Sequence, residues 1–333
     1  MTDAGTVVIT YPGYDPDTAE IARTLRDAGF TIRYEPRVNE RTPDEVAELM
    51  AGATAGIIST DPFDEAVFAR CPELRVLARV GVGTDAIDLR AATDAGVAVT
   101  ITPGANANTV ADHTMALILA CSRRLLENDR MMREGKWERG GALSGTDLTG
   151  STVGIVGMGL IGRAVAKRLR GFDVDVIGSD LPNVSQDGIV RMPLGDVLKA
   201  ADVITVHVPL LPSTRGLIGA GELANVRRGA ILINTSRGGV VDEDALVAAL
   251  ADGRLSAAGL DVFAREPPAG SPLLMMPNVV VSPHIAGISV YSQQRMLAMA
   301  ASSILDVIAG RHTPGLVNPD ALERPDDARV RTP

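Results

Sequence analysis

Cysteine is scarce in this chain, since Cys71 and Cys121 are the only two among 333 residues. Two cysteines are too few for a disulfide framework or a thiolate metal site, and reduced thiols are usual in the cytoplasm. Histidine is also rare, and His113, His207 and His312 lack carboxylate or thiolate partners at the spacing of metal ligands. We therefore predict buried free thiols, no metal and a cytoplasmic location.

The chain also lacks an excess of positive charge, because 32 basic residues face 41 acidic ones, for a net charge of -9. Such a surface repels nucleic acid and anionic membranes at long range. The longest uncharged stretch is interrupted by Pro272, Pro277 and Pro283, so it does not form a membrane-spanning helix. We predict neither a nucleic-acid partner nor a membrane partner.

What the chain does have is apolar sequence, 46% of it, and a length sufficient for two domains. Its first hundred residues alternate apolar runs with stretches of helical spacing. The runs predict strands at residues 6–10, 31–34, 55–59, 75–80 and 97–101. The intervening stretches predict helices at residues 18–28, 44–50, 64–69 and 89–95. This alternation indicates a parallel sheet covered on both faces.

A long apolar helix is predicted over residues 109–133, and we expect it to pack between domains or subunits. A glycine-rich loop over residues 135–150 follows it. A second alternating series predicts strands at residues 152–156, 174–177, 203–206, 230–233, 257–260 and 279–281. Six strands are the number expected of a dinucleotide-binding sheet.

A G-x-G-x-x-G motif, formed by Gly157, Gly159 and Gly162, lies between the first strand of this series and a helix. The first glycine permits a tight turn, the second lets a pyrophosphate approach the backbone, and the third lets the helix pack on the strand. A glycine-rich turn that serves packing alone is the alternative interpretation.

Asp180 ends the second strand of the series, 21 positions beyond Gly159. An acidic side chain near this spacing accepts the ribose hydroxyls of NAD and repels the 2'-phosphate of NADP. No arginine follows before Arg191, so the spacing favours NAD. A cap for the turn at Leu181 is the alternative role of Asp180.

Polar residues follow three predicted strands, in residues 234–239, 261–268 and 282–287. Ligands bind at this carboxyl edge in open α/β sheets. The chain resembles the D-isomer-specific 2-hydroxyacid dehydrogenase family, in its phosphoglycerate-dehydrogenase-like branch. The resemblance rests on these three segments and on the motifs at residues 79–85 and 135–138. The resemblance covers almost the whole chain.

The resemblance implies that Arg237 anchors the substrate carboxylate and carbonyl, that His284 is the general acid and base, and that Glu266 supports the histidine. The chemistry also calls for these residue types. Imidazole exchanges protons near neutral pH, and a carboxylate partner keeps it protonated and orients it. A guanidinium fork matches a 2-oxo acid at two points.

Further roles follow from the same resemblance. Substrate contacts are expected from Arg79, Val82, Gly83 and Asn106, besides Arg237 and His284. Asp261 is expected to receive the nicotinamide carboxamide. The residues expected to border the cofactor are Leu160, Ile161, His207, Pro209, Thr214, Thr235, Ser236 and Gly287. For the threonines and serine, turn formation is the alternative role, and His113 is interpreted as a packing residue.

The resemblance also implies an α/β fold of two doubly wound parallel-sheet domains. An NAD-binding Rossmann domain, residues 104–286, is inserted into a flavodoxin-like substrate domain, residues 1–103 and 287–333. Hinged closure of the two domains is expected to exclude water before hydride transfer. A homodimer is expected as well.

Relatives that accept phosphorylated acids often carry an arginine after the third strand, where this chain has Asp61, a residue expected to repel a phosphate. Arg79 could supply one positive contact, which leaves the substrate acid open. The alternatives are an oxidoreductase acting on another small anion, such as formate or phosphite, and a non-catalytic NAD-sensing protein. Pairing of Glu266 with His284 favours 2-hydroxy acids over formate.

Overall fold

The computed structural model describes residues 4–14, 20–180 and 189–323. The strands are β1 (Gly5–Ile9), β2 (Phe30–Tyr34), β3 (Ala55–Ile58), β4 (Val76–Arg79), β5 (Ala98–Thr100), β6 (Thr152–Val156), β7 (Asp175–Ser179), β8 (Val190–Arg191), β9 (Val203–Val206), β10 (Ala230–Asn234), β11 (Leu255–Leu260) and β12 (Val279–Val281). The helices are α1 (Glu20–Asp27), α2 (Pro43–Met50), α3 (Glu65–Arg70), α4 (Leu89–Asp94), α5 (Ala107–Ser122), α6 (Leu125–Arg133), α7 (Leu160–Leu169), α8 (Leu194–Ala200), α9 (Ala220–Ala224), α10 (Glu243–Ala251) and α11 (Val290–Ile308).

The chain divides into two compact units. Unit 1 contains residues 1–106 and 289–333, and unit 2 contains residues 107–288. The sequence interpretation put the two crossings near Pro103 and Ile285. Each unit holds one sheet, and the strands named above pair with one another in parallel. The predicted α/β class with two parallel sheets is confirmed.

Unit 1 has the strand order β2-β1-β3-β4-β5, which is the flavodoxin-like order. Successive residues of β1 point to opposite faces of this sheet and enter different cores. Val7 and Ile9 pack with residues of α1 and α11, whereas Val8 packs with residues of α2 and α3. The strand is apolar at consecutive positions because both faces of the sheet are covered.

Unit 2 has the strand order β12-β11-β10-β9-β6-β7-β8. The order reverses beside β6, so the first strand of the unit has β7 on one side and β9 on the other, as in a Rossmann sheet. The sequence predicted six strands here and missed β8. Its two residues form no apolar run, and Val190 is 63% exposed.

The helix predicted over residues 109–133 is two helices, α5 and α6. The chain breaks at Arg124, whose φ is +49°. The amide of Thr146 donates to the carbonyl of Ser122 at 2.7 Å, and Gly145 packs so closely on this helix end that a Cβ would collide with it. The returning loop therefore occupies the end of α5 and prevents its continuation.

The apolar face of α5 is buried inside unit 2, where the helix packs on α7, β10 and β11. This differs from the expected position between domains or subunits. Ala111 and Ile118 are fully buried, whereas Leu125, at the start of α6, is 58% exposed. Among the described residues, none of the helices has both the length and the apolar character needed to cross a bilayer.

Candidate active site

The glycine motif forms the turn between β6 and α7, at the carboxyl edge of the sheet in unit 2. Gly157 has φ +97°, and a Cβ there would lie 2.7 Å from the backbone of His207. A Cβ on Gly162 would collide with the carbonyl oxygen of Gly157. Both positions therefore require glycine for the fold itself.

Gly159 is different, because a Cβ there would meet no described protein atom within 4 Å. The helix begins at the next residue, Leu160, which is 53% exposed and is followed by the half-buried Ile161. No side chain among the described residues caps this helix start. The uncapped amides and the open space beside Gly159 fit a pyrophosphate group, since the first amides of a helix bind anions.

Asp180 follows β7, and its side chain accepts a hydrogen bond from the Met158 amide within the glycine turn. The neighbouring strand β8 brings Arg191 alongside, where Nη2 donates to the carbonyl oxygen of Asp180 at 2.7 Å. A cation therefore lies beside the acid, which the sequence spacing did not reveal. The alternative role of Asp180 is to cap the turn at Leu181, and this turn lies outside the described residues.

His207 follows β9, and its ring is neutral at physiological pH because burial lowers its pKa to about 3. Nε2 lies 2.9 Å from the hydroxyl of Thr205. Nδ1 is buried without a hydrogen-bond partner in the described part of the chain. This nitrogen lies at the predicted cofactor edge and fits a polar contact with a bound dinucleotide.

The hydroxyl groups predicted to border the cofactor make hydrogen bonds within the protein. Thr214 Oγ1 donates to the carbonyl oxygen of Pro209 at 2.6 Å. The hydroxyls of Thr235 and Thr114 are 2.9 Å apart, and Ser236 Oγ donates to the side chain of Asn234 at 2.7 Å. The contacts of Thr214 and Ser236 agree with the role of turn formation, whereas Thr235 joins its loop to α5. Direct binding of the cofactor stays a prediction.

His284 and Glu266 meet at the same edge, with 2.7 Å between Nδ1 of the imidazole and Oε2 of the carboxylate. The two side chains are 46% and 38% exposed. The Phe263 amide donates to the other carboxylate oxygen at 3.1 Å. The sequence predicted that both residues lie at one edge of the sheet, and in the structure they are in hydrogen-bond contact.

Burial raises the pKa of Glu266, but this effect is outweighed. The hydrogen bond and charge of His284, the Phe263 amide and the positive charge of Arg237 lower that pKa below its usual value. Glu266 is therefore ionised across the neutral range and presents a negative charge to Nδ1 of His284.

Arg237 lies on the loop after β10, and hydrogen bonds within this loop hold both its backbone and its side chain. Asn234 Nδ2 donates to the carbonyl oxygen of Arg237 at 3.0 Å, and Arg237 Nη1 donates to that of Ser236 at 2.8 Å. Gly238 packs directly on the backbone of Phe263, where a Cβ would collide. The loops after β10 and β11 are therefore locked together, with Arg237 and Glu266 on adjacent loops.

Asp261 is 1% exposed and directly follows β11. Its carboxylate oxygens accept the amides of Ile285 and Ala286 at 2.9 and 2.8 Å, and its carbonyl oxygen accepts the His284 amide at 2.8 Å. The loop that carries His284 is thus fastened to Asp261, and Gly287 follows on the same loop.

The predicted substrate residues are divided between the units, with Arg79, Val82, Gly83 and Asn106 in unit 1 and Arg237 and His284 in unit 2. In unit 1, Arg79 ends β4, and its Nη1 donates to the Val80 carbonyl oxygen at 2.6 Å. Val82 is 37% exposed on the loop that follows, next to the half-buried Gly83. Asn106, also half-buried, ends the first segment of unit 1.

Asp61 does not present a free negative charge, which corrects the expectation drawn from sequence. The residue is 1% exposed, and its Oδ1 accepts a hydrogen bond from Arg41 Nη1 at 2.9 Å. Its Oδ2 accepts one from the hydroxyl of Thr10 at 2.6 Å, and Arg37 Nε lies 4.0 Å away. Two arginines compensate this acid, so its presence gives no ground for excluding a phosphorylated substrate.

Among the described residues, His, Cys, Asp and Glu form no group of three that could hold a metal ion. A Rossmann sheet with an anion-binding turn, and a histidine paired with a carboxylate at the same edge, define the class of dinucleotide-dependent oxidoreductases.

Comparison with known proteins identifies the family. Residues 115–286 match the family model described as D-isomer specific 2-hydroxyacid dehydrogenase, NAD binding domain. A glyoxylate reductase of Korarchaeum cryptofilum is 42% identical over 274 residues, which are 79% of this chain and 82% of that protein. The chain belongs to the D-isomer specific 2-hydroxyacid dehydrogenase family, and it is an oxidoreductase.

Two further relatives show how far the similarity extends. A D-3-phosphoglycerate dehydrogenase of Mycobacterium leprae is 42% identical over 84% of this chain, but the match spans only 54% of that longer protein. The crystal structure of the TT0316 protein from Thermus thermophilus superposes with a TM-score of 0.86 and 38% identity, over 94% of this chain and 99% of that one.

Proposed function

We propose that this enzyme catalyses the reversible reduction of a small 2-oxo acid to the D-2-hydroxy acid, with NADH as the reductant. The observation that carries the proposal is the 2.7 Å contact of His284 with Glu266 at the carboxyl edge of the dinucleotide-binding sheet. A bound nicotinamide ring supplies the hydride to the carbonyl carbon in reduction and accepts it in oxidation.

His284 is the general acid and base of this reaction. Hydride addition leaves an alkoxide on the former carbonyl oxygen, which takes a proton to become the hydroxyl group. Glu266 occupies Nδ1 of the imidazole, so Nε2 is the nitrogen that exchanges the proton with substrate. In oxidation the same nitrogen removes the proton from the hydroxyl group.

Arg237 binds the carboxylate and carbonyl oxygens of the substrate through its guanidinium fork. Its charge compensates the acid, and its two donors fix the carbonyl relative to His284. Backbone groups of Val82 and Gly83, with the side chains of Arg79 and Asn106, complete the proposed set of substrate contacts.

NAD is the proposed cofactor. Gly157, Gly159 and Gly162 with the start of α7 would hold the pyrophosphate, and Asp180 would accept the ribose hydroxyls. Asp261 would receive the carboxamide of the nicotinamide. The further contacts proposed for the cofactor are Leu160, Ile161, His207, Pro209, Thr214, Thr235, Ser236 and Gly287.

Replacement of Asp180 by alanine should weaken the preference for NAD. The variant loses the charge that repels a 2'-phosphate and keeps Arg191, which lies beside the site at 2.7 Å from the Asp180 carbonyl. We expect the ratio of kcat/KM for NADPH to that for NADH to rise about tenfold. Arg191→Ala is the matched variant and should lower this ratio. An unchanged ratio in Asp180→Ala would refute the role of Asp180.

Replacement of Glu266 by glutamine should move the pH profile of reduction toward acid. The lowered pKa of Glu266 keeps it ionised around neutral pH, where its charge favours the protonated imidazole that reduction requires. Without that charge the proton is lost at lower pH, so the fall in kcat/KM on the alkaline side should begin earlier. A profile that coincides with that of the unmodified enzyme would remove Glu266 from this role.

The proposed substrate is a small acid such as glyoxylate or hydroxypyruvate. The support is the similarity to a glyoxylate reductase, which is 42% identical to this chain over 274 residues. Because Asp61 is compensated by Arg41, 3-phosphohydroxypyruvate belongs among the acids to be tested.

The experiment that tests the proposal measures NADH consumption with glyoxylate, hydroxypyruvate, pyruvate, longer 2-oxo acids and 3-phosphohydroxypyruvate. Formate and phosphite are tested with NAD in parallel. We expect turnover of at least one 2-oxo acid and none of formate or phosphite. Tight NADH binding without turnover of any acid would instead indicate an NAD-sensing binding protein.

We also propose a homodimer. Four apolar side chains on and after α6 are exposed, between 47% and 74%, and such a surface is typical of an interface. They are Leu125, Leu126, Met132 and Trp137. Light scattering should give twice the mass of the 34.8 kDa chain, and a single chain mass would contradict the dimer.

A further inference from the structure

His113, on α5, contacts a residue of the loop that carries His284. Its Nε2 lies 2.8 Å from the hydroxyl oxygen of Ser282, although the two residues are 169 positions apart. Ser282 Oγ in turn donates to Asp261 Oδ1 at 2.6 Å. A chain of hydrogen bonds therefore runs from His113 through Ser282 to the buried carboxylate of Asp261.

The hydrogen atoms in this chain of hydrogen bonds have only one consistent arrangement. A serine hydroxyl has a single hydrogen, and here it is directed to Asp261 Oδ1. The short contact with His113 then requires the imidazole to donate, so Nε2 must carry a proton. The remaining oxygen of the carboxylate, Oδ2, accepts the Ala286 amide at 2.8 Å.

The carboxylate at the end of this chain determines where the His284 backbone lies. Asp261 accepts the amides of Ile285 and Ala286, and its carbonyl oxygen accepts the amide of His284. His284 has φ +55°, a left-handed conformation that a residue with a side chain adopts only when its surroundings impose it. The Asp261 contacts supply that constraint.

We propose that His113, acting through Ser282 and Asp261, is a positioning residue that holds His284 in register with the substrate carbonyl. The inference rests on the proposed function of His284. It replaces the interpretation of His113 as a packing residue, because the apolar packing of α5 is carried by other side chains, among them Ala111 and Ile118. His113 itself is 24% exposed.

The kinetic test compares His113→Leu, which removes the donor, with His113→Gln, which keeps an N–H donor at a similar reach. We expect kcat for 2-oxo acid reduction to fall about 10- to 100-fold in the leucine variant, because small misplacements of a catalytic group reduce rates by such factors. The KM for NADH is measured alongside, because Asp261 is also the proposed acceptor of the nicotinamide carboxamide, and glutamine should restore most of the rate. His312→Leu, at an exposed position of unit 1, is the control.

A purely structural role predicts a different pattern. Both His113 variants would then lose thermal stability and keep kcat in the folded fraction, and that result would overturn the proposal. If His113→Leu does not fold, Ser282→Ala and Ser282→Thr provide the same comparison at Ser282, the middle residue of the hydrogen-bond chain. Loss of kcat in the alanine variant with recovery in the threonine variant supports the proposal, and equal kcat in both contradicts it.

A measurement without turnover keeps this inference separate from the proposed reaction. The chain has four histidines, so nitrogen NMR of the imidazoles gives few signals, and the His113→Gln spectrum identifies the signal of His113. We expect a protonated Nε2 on His113, whatever the activity of the enzyme. A bare Nε2 would overturn the hydrogen-bond chain. Full turnover in a His284 variant would overturn the proposed function and leave the NMR result standing.

Discussion

Replacing His284 with alanine should lower kcat for 2-oxo acid reduction by about 10²- to 10⁴-fold, the usual contribution of general acid catalysis. The variant keeps the glycine turn and Asp180, so NADH should bind with nearly unchanged affinity. The side chain of His284 is 46% exposed and hydrogen-bonds to Glu266, so we expect little change in the free energy of unfolding. Stopped-flow NADH oxidation and fluorescence titration measure the rate and the affinity.

The His312→Ala variant is the matched control, since it removes an exposed histidine of unit 1 and should leave kcat unchanged. The account of His284 is contradicted if its alanine variant keeps more than about a tenth of the activity. It is also contradicted if NADH affinity falls in parallel with kcat, because the loss would then lie in cofactor binding.

Replacing Arg237 with alanine should lower kcat/KM for the 2-oxo acid by about 10²- to 10³-fold, or about 3–4 kcal/mol, because two charged hydrogen bonds to substrate are lost. Lysine at this position keeps the charge and loses the planar fork, so Arg237→Lys should recover only part of the loss. The measurement is steady-state kinetics at saturating NADH.

Arg265→Ala tests whether the loss of kcat/KM in Arg237→Ala comes from a specific contact with substrate or only from the loss of one positive charge. Arg265 is exposed on the neighbouring loop, and its removal changes the net charge by the same amount. It should reduce kcat/KM far less than Arg237→Ala. Equal losses in the two variants would mean that positive potential at this edge, and no specific contact of Arg237, promotes substrate binding.

Much of the fold could be predicted from sequence because its strands are buried on both faces. Consecutive apolar residues such as Val7, Val8 and Ile9 indicate such strands without further information. The carboxyl ends of parallel strands then meet at one edge, which placed Arg237, Glu266 and His284 together. Elements without this signal were missed, as β8 shows with its exposed pair of residues.

Features that depend on tertiary contacts could not be predicted. The end of α5 is determined by a loop that returns more than twenty residues later and bonds to Ser122. The charge of Asp61 is compensated by Arg41, and Arg191 reaches Asp180 only through the pairing of β7 with β8. Residue spacing along the chain does not indicate such contacts between distant residues. The hydrogen bond between His113 and Ser282 could not be predicted for the same reason.

The most direct test of the proposed function is product analysis with the 2-oxo acid that is turned over fastest and has a chiral product. The purified enzyme is given this acid and a limiting amount of NADH, and the hydroxy acid is measured by chiral chromatography. The account predicts one molecule of the D-2-hydroxy acid for each NADH consumed. Formation of the L-isomer, or NADH binding with no hydroxy acid formed from any acid tested, would contradict it.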